Sequence, residues 1–157
     1  MGSVFRTADG AGASKIYLTG YTPAPTDRMG NYLPQVHKVA LGAERTVPWE
    51  KVTNIAGVIR KLKKEKYKVF AVEQDKRSVP YNKVFALRRV RQAHREQAQG
   101  KNNRKFALVF GNEVRGLSPA VLNAVDKILE IPMYGEKESL NVSVSVGVVA
   151  YGLVSRE

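Results

Sequence analysis

Cysteine is absent from the 157 residues, and histidine occurs only twice. The first absence excludes a disulfide framework, a thiolate zinc site and a cysteine nucleophile. The scarcity of histidine argues against a histidine-built metal centre, so no metal is expected to take part. Missing too is any apolar run near the roughly 20 residues that a membrane helix needs, and no charged-then-apolar leader opens the chain. The expectation is a soluble, cytoplasmic protein with no membrane partner. Hydrophobic residues still make up 43% of the sequence, enough for one domain of this length to close over a core without cross-links.

What the chain has in excess is positive charge: 26 Lys or Arg against 14 Asp or Glu, a formal net charge of +12. Between residues 60 and 105 stand 16 Lys or Arg and four acids, so this third of the sequence carries the whole excess and the remainder is neutral. Charge gathered in this way describes a docking face for a polyanion rather than a general solubility bias. Inside it Arg88, Arg91 and Arg95 recur at i, i+3 and i+7, which on a helix puts all three on one side, with Ala86, Leu87, Val90 and Ala93 on the other. A solvated helix face is the plainer reading of the same arginines. Confinement of the net charge to this segment favours a polyphosphate surface.

Along the chain, β-rich runs alternate with helical periods. Residues 15–19, 68–72, 105–110 and 127–131 are β-branched and aromatic runs of strand length. Ile55, Val58, Ile59 and Leu62 fall at i, i+3, i+4 and i+7 behind Thr53 or Asn54 as a cap, which predicts a helix. Ser118 followed by Pro119 supplies a cap residue and a first-turn proline, and predicts a helix through about Val125. Strands separated by helices imply right-handed crossovers and a mostly parallel sheet with helices on both faces, an α/β fold. Residues 21–34, with three prolines, read as a long loop of the kind that carries function. Residues 142–148 alternate Val with Ser or Gly at period two, which taken alone argues a strand. The small residues would equally let a helix approach another backbone closely, and periodicity does not decide between the two.

Three segments stand out together: Gly2-Ser-Val-Phe-Arg-Thr-Ala-Asp9; Leu108-Val-Phe-Gly-Asn-Glu-Val-Arg-Gly-Leu-Ser118; and Ile131-Pro-Met133 followed by Ser139-Leu-Asn-Val-Ser143. In this order and spacing the chain resembles the SPOUT class of methyltransferases, in particular the SpoU/TrmH type that methylates ribose 2′-hydroxyls of tRNA and rRNA. The resemblance covers nearly the whole chain and implies a single SPOUT domain over residues 1–157. Its C-terminal segment would be threaded as a deep trefoil knot, with residues 142–153 as the final helix. It implies S-adenosylmethionine as cofactor, RNA as substrate and a homodimer whose subunits share the active site.

By the same resemblance, Phe110, Gly111, Ile131, Met133, Ser139 and Leu140 contact the cofactor, with Glu73 and Gln74 as weaker candidates. Gly111 follows a strand directly, where the absence of a Cβ would let a ligand approach the backbone. Transfer of a methyl group to a ribose oxygen requires removal of the hydroxyl proton and stabilisation of the developing alkoxide. Arg6 matches the family's motif-one arginine. A guanidinium that stays protonated suits placement of a phosphate or alkoxide better than proton acceptance. Glu113 and Asn141 match the polar residues that hold the site together, and Arg88, Arg91 and Arg95 are the candidate RNA contacts.

Two departures from the family pattern are visible. The motif-one asparagine would fall one place before Met1, so the chain is expected to lack that residue and the family's first strand. Residues 78–104 are longer and more basic than the family's compact core, which points to strengthened RNA contact. The first departure keeps a second function open, a non-catalytic RNA-binding protein on a SPOUT fold. Methylation of a base nitrogen, which SPOUT relatives also perform, is the third.

Overall fold

The computed structural model describes residues 1–84, 105–112 and 115–154. The chain divides into two compact units, Met1–Val58 and Ile59–Glu157.

The first unit is built on α1 (Gly2–Gly10), whose buried positions Gly2, Phe5 and Ala8 recur every three residues along one face. Phe5 and Ala8 join Leu18, Ala40, Ala43 and Val47 in one apolar cluster. These residues come from β1 (Ile16–Thr19), α2 (Pro34–Ala40), and α3 (Ala43–Thr46) with its C-terminal flank. Pro34 opens α2, where a fixed φ and a missing N–H cost nothing. β2 (Trp49–Val52) pairs with β1 in parallel, Ile16 opposite Trp49 through Thr19 opposite Val52. The long loop after β1 is tied down rather than loose. Lys51 Nζ donates to the carbonyls of Gly20 and Thr22. Asp27 Oδ1 accepts from the backbone N–H groups of Met29 at 2.8 Å and Asn31 at 2.9 Å.

α4 (Ile55–Lys64) carries the chain from the first unit into the second. It buries Val58, Ile59 and Leu62, as the sequence period predicts. Asn54 Oδ1 accepts from the N–H of Gly57 at 3.2 Å, so of the two candidate caps it is Asn54 that serves. Lys61, Lys63 and Lys64 occupy the last turn, beside the negative end of the helix dipole.

The second unit holds a four-stranded sheet of order β4-β6-β3-β5, formed by β3 (Lys68–Val72), β4 (Val79–Pro80), β5 (Phe106–Phe110) and β6 (Lys127–Glu130). Every pairing is parallel. β3 lies inside the sheet and reads as a continuous apolar run because Val69, Phe70 and Ala71 are all buried. Phe70 stacks on Phe106 with ring centroids 5.8 Å apart and packs with Leu129 and Val149 in the core. α5 (Pro119–Ala124) begins behind Ser118 as expected and ends at Ala124. The predicted parallel α/β arrangement is thus present, divided between a two-stranded and a four-stranded sheet.

The final element, α6 (Val142–Val154), is the helix that the resemblance implies for residues 142–153, and it decides what the period of residues 142–148 leaves open. Asn141 Oδ1 accepts from the N–H of Ser143 at 2.9 Å and from its Oγ at 2.7 Å, which starts a helix. The run then continues for 13 residues, longer than a typical strand. Alternating valines distribute apolar surface around the whole helix. Val146 and Val149 are buried, whereas Val144, Tyr151 and Val154 are exposed. Tertiary packing overrides the β-preference of valine here. Among the described residues no helix is long and apolar enough to cross a membrane, and no cluster of His, Asp or Glu could hold a metal ion.

Candidate functional site

Three parallel strands of the second unit, β6, β3 and β5, lie side by side and end at one edge of the sheet. Parallel α/β sheets place ligands in the crevice beyond the carboxyl ends of their strands. A cavity of about 400 Å³ lies there, within the range of small-molecule sites. Val72, Glu73 and Gln74 line it from the end of β3, Phe110, Gly111 and Asn112 from the end of β5, and Ile131 and Met133 from beyond β6. Arg115, Gly116 and Leu117 of the following turn, Leu122 of α5, and Ser139, Leu140, Val142 and Ser145 at the start of α6 complete the lining.

All six residues named as cofactor contacts, Phe110, Gly111, Ile131, Met133, Ser139 and Leu140, therefore face the same space, and Glu73 and Gln74 face it with them. Asn141 is not part of the lining. Its side chain is engaged at the start of α6, directly after Ser139 and Leu140. Arg6 is an exposed residue of α1 in the first unit. Glu113, Arg88, Arg91 and Arg95 lie outside the described residues.

The turn after β5 owes its shape to contacts within the protein. The N–H of Gly116 donates to the carbonyl of Asn112 at 2.8 Å, and the two residues form an antiparallel bridge. Gly116 has φ +60°, in the left-handed region that glycine adopts without steric cost. Glu73 reaches across from β3: its Oε2 accepts from the N–H of Leu117 at 2.8 Å and its Oε1 from the N–H of Gln74 at 3.2 Å. Gln74 in turn donates from Nε2 to the carbonyl of Ile131 at 3.2 Å, linking the end of β3 to the segment after β6.

This geometry corrects the reason given for Gly111. A Cβ at that position would stand 2.6 Å from the carbonyl carbon of Gly116 and 2.9 Å from Glu73 Oε2. The missing side chain makes room for the protein's own turn, not for a ligand approaching the backbone. The sequence does not single out Val72, Arg115, Gly116, Leu117, Leu122, Val142 and Ser145 as cavity residues. Arg115 and Leu117 lay inside a motif already singled out, while Leu122 carries no signal beyond helix periodicity.

Chemically, the cavity combines apolar side chains (Val72, Phe110, Leu117, Leu122, Ile131, Met133, Leu140) with polar ones (Gln74, Asn112, Ser139, Ser145). Among its described residues one anionic side chain, Glu73, and one cationic, Arg115, stand on the lining. A space of this size and lining suits a small-molecule ligand with an apolar part and a few polar contacts.

The SpoU rRNA Methylase family matches residues 1–151, across both units. The 23S rRNA (guanosine-2′-O-)-methyltransferase RlmB of Bordetella pertussis is 34% identical over 151 residues, covering 96% of this chain and 52% of that protein. A tRNA (guanosine(18)-2′-O)-methyltransferase of Borreliella burgdorferi is 32% identical over 118 residues, covering 75% of this chain and 47% of its own. The chain thus spans about half the length of the curated relatives it matches. Among solved structures, the TrmH/SpoU tRNA modifying enzyme of A. aeolicus superposes with a TM-score of 0.74 at 26% identity, over 97% of this chain and 66% of that one. An AdoMet-bound rRNA methyltransferase from Sinorhizobium meliloti shares the fold with a TM-score of 0.75 at 24% identity, over 97% of this chain and 49% of its own. With the parallel strands, the cavity at their ends and the three motifs in one order, the chain belongs to the SpoU rRNA methylase family.

Proposed function

We propose that the protein is an S-adenosylmethionine-dependent RNA methyltransferase acting on a ribose 2′-hydroxyl of tRNA or rRNA. The observation that carries this reading is the convergence of Phe110, Gly111, Ile131, Met133, Ser139 and Leu140 on one nucleoside-sized cavity. The names of its relatives, 2′-O-methyltransferases of 23S rRNA and of tRNA, agree with it. So does the family match across both units, which supports treating residues 1–151 as parts of one SPOUT domain.

The residues present fit the cofactor: the apolar side chains suit an adenine ring, and the polar side chains of Gln74, Asn112 and Ser139 on the lining suit its ribose and base edges. When bound, S-adenosylmethionine supplies an electrophilic methyl group. The chain's own residues must then position the acceptor hydroxyl and stabilise the alkoxide that forms as its proton leaves. Arg6, a permanent cation exposed on α1, holds the substrate phosphate or the developing alkoxide. Asn141 fixes the start of α6 and with it the backbone of Ser139 and Leu140. Glu113 of the second motif has a supporting polar role, and Arg88, Arg91 and Arg95 contact RNA phosphates.

The reading includes a C-terminal trefoil knot, a homodimer and action in the cytoplasm. For the dimer, Val144, Tyr151 and Val154 give α6 an exposed apolar stripe at i, i+7 and i+10, of the kind a second copy would cover. Sedimentation as a monomer at micromolar concentration would remove this part of the proposal.

The function itself is tested by incubating the protein with methyl-labelled S-adenosylmethionine and bulk tRNA or rRNA. Label should enter the RNA, and nuclease digestion should leave one resistant phosphodiester, the mark of a methylated ribose. Label in a base instead would shift the reaction to a ring nitrogen. RNA binding without incorporation would leave a non-catalytic RNA-binding protein.

A further inference from the structure

We infer that Glu73 is a positioning residue for the cofactor cavity: its carboxylate clamps Leu117, next to Gly116, onto the end of β3 and thereby sets one wall of the site. The inference rests on the cofactor reading above and assigns a role to a side chain 44 residues away in sequence from the N–H it holds.

The geometry is specific. Oε2 takes the N–H of Leu117 at 2.8 Å, while Oε1 takes the N–H of Gln74 at 3.2 Å. A side chain that must accept on two oxygens and donate on neither is a carboxylate. Hydrogen bonds to an ionised acceptor are stronger than neutral ones. The turn is fitted around this group: an ideal Cβ on Gly116 would lie 2.6 Å from Oε2, and one on Gly111 would lie 2.9 Å from the same atom. Two glycines thus leave the room that the carboxylate occupies. Gly111, Asn112, Arg115, Gly116 and Leu117 all stand on the cavity wall. If the clamp is released, the N–H of Leu117 loses its acceptor and the wall has no tie to β3 through this side chain.

A positioning role differs from a direct electrostatic one. S-adenosylmethionine carries a sulfonium charge that S-adenosylhomocysteine lacks. A carboxylate acting on that charge would affect the first ligand and spare the second, whereas a displaced wall weakens both alike.

The test compares Glu73→Ala and Glu73→Gln with the parent protein by calorimetric titration of both ligands, with amide hydrogen exchange read at Leu117. Loss of a hydrogen bond to a charged group predicts roughly a ten- to hundredfold weaker affinity for both ligands in the Ala variant. The Gln variant keeps an oxygen for Leu117 and gives up only the longer 3.2 Å bond from the N–H of Gln74, so it should recover most of the loss, to within about threefold of the parent. The Leu117 amide should be protected in the parent and in the Gln variant and exchange rapidly in the Ala variant. Parent-like affinity and protection in Glu73→Ala would overturn the clamp, as would a loss confined to S-adenosylmethionine in both variants. Should the parent bind neither ligand, the cofactor reading falls, while the Leu117 amide still decides whether the clamp exists.

Discussion

Glu44 in the first unit and Glu73 in the second are carboxylates drawn in from solvent, and the two units use them for different ends. Glu44 is 0% exposed. Its Oε1 lies 2.6 Å from His37 Nδ1 and 3.7 Å from Arg45 Nε, and its Oε2 has no hydrogen-bond partner among the described residues. Burial alone would raise its pKa, but the hydrogen bond from His37, its own backbone N–H and the nearby charges of His37 and Arg45 together hold it below the ordinary value. Its partner His37 sits on α2 and Glu44 itself on α3, so this carboxylate serves the packing of a core. Glu73 is half-buried, joins a strand end to a turn, and serves the shape of a cavity. The comparison teaches where each substitution should register: at Glu44 in the stability of the fold, at Glu73 in the affinity for a ligand.

The largest effect expected is from Glu44→Ala. Removing the buried carboxylate opens a cavity and takes away the hydrogen-bond partner of His37, which here predicts a loss of about 3 kcal/mol in urea denaturation. The half-exposed imidazole of His37 keeps the value at the low end of that class. The folded fraction should bind cofactor as the parent does, and a tenfold loss of cofactor affinity would break the division between the two carboxylates. Acid sharpens the same point. Because the folded-state pKa of Glu44 lies below its ordinary 4.5, its contribution is fully present above that pH and is lost as the pH falls through the depressed folded value. The stability gap between the parent and Glu44→Gln, measured by denaturant melts from pH 7 to pH 3, should therefore narrow only below about pH 4.5. A gap that stays constant across the range would mean that the charge of Glu44 contributes nothing.

Next in size is Gly111→Ala. The new methyl would stand 2.6 Å from a backbone carbon of Gly116, which cannot turn aside as the end of a flexible side chain can. Overpacking of this kind costs about 1 to 3 kcal/mol. The turn that must shift to relieve it is a wall of the cavity, so cofactor affinity should fall about tenfold or more along with stability. Calorimetric titration showing parent affinity would mean that the wall does not matter to the ligand.

Legibility in the sequence follows the same division between local and distant causes. β3 was readable to the residue because a buried central strand is one continuous apolar run, and α4 because four apolar residues mark its inner face. β2 escaped notice because Glu50 and Lys51 interrupt its four residues, and β4 because two residues carry no pattern. α1 shows in the sequence only as a motif, since Gly2, Phe5 and Ala8 make too short a stripe to announce a helix. At the site, the six motif positions were visible because the family's order and spacing mark them. The roles of Glu73 and Gly116 were not, because nothing local to either one records that the carboxylate meets the turn in space. At Gly111 the sequence shows that a Cβ is missing, and only the fold shows what takes its place.

The smallest effect concerns Ser118, which follows Leu117 directly and caps α5. Its Oγ accepts from the N–H of Val121 at 3.4 Å, a long bond, while its carbonyl accepts from Val121 at 2.9 Å and from Leu122 at 3.0 Å. Replacement of a serine cap by alanine costs about 0.5 to 2 kcal/mol in general, and a bond this long places Ser118→Ala at about 0.5 to 1. The backbone acceptor is untouched, so α5 should keep its first turn and Leu122 its place on the cavity. Cofactor affinity should then change by less than about threefold, in contrast to the larger loss expected when Glu73 releases the neighbouring N–H of Leu117. Denaturant melts and titrations on the same preparation separate the two effects. If Ser118→Ala weakened the cofactor as much as Glu73→Ala, the wall would be held by the start of α5, one residue further along, and the contrast between the two glutamates would lose its second half.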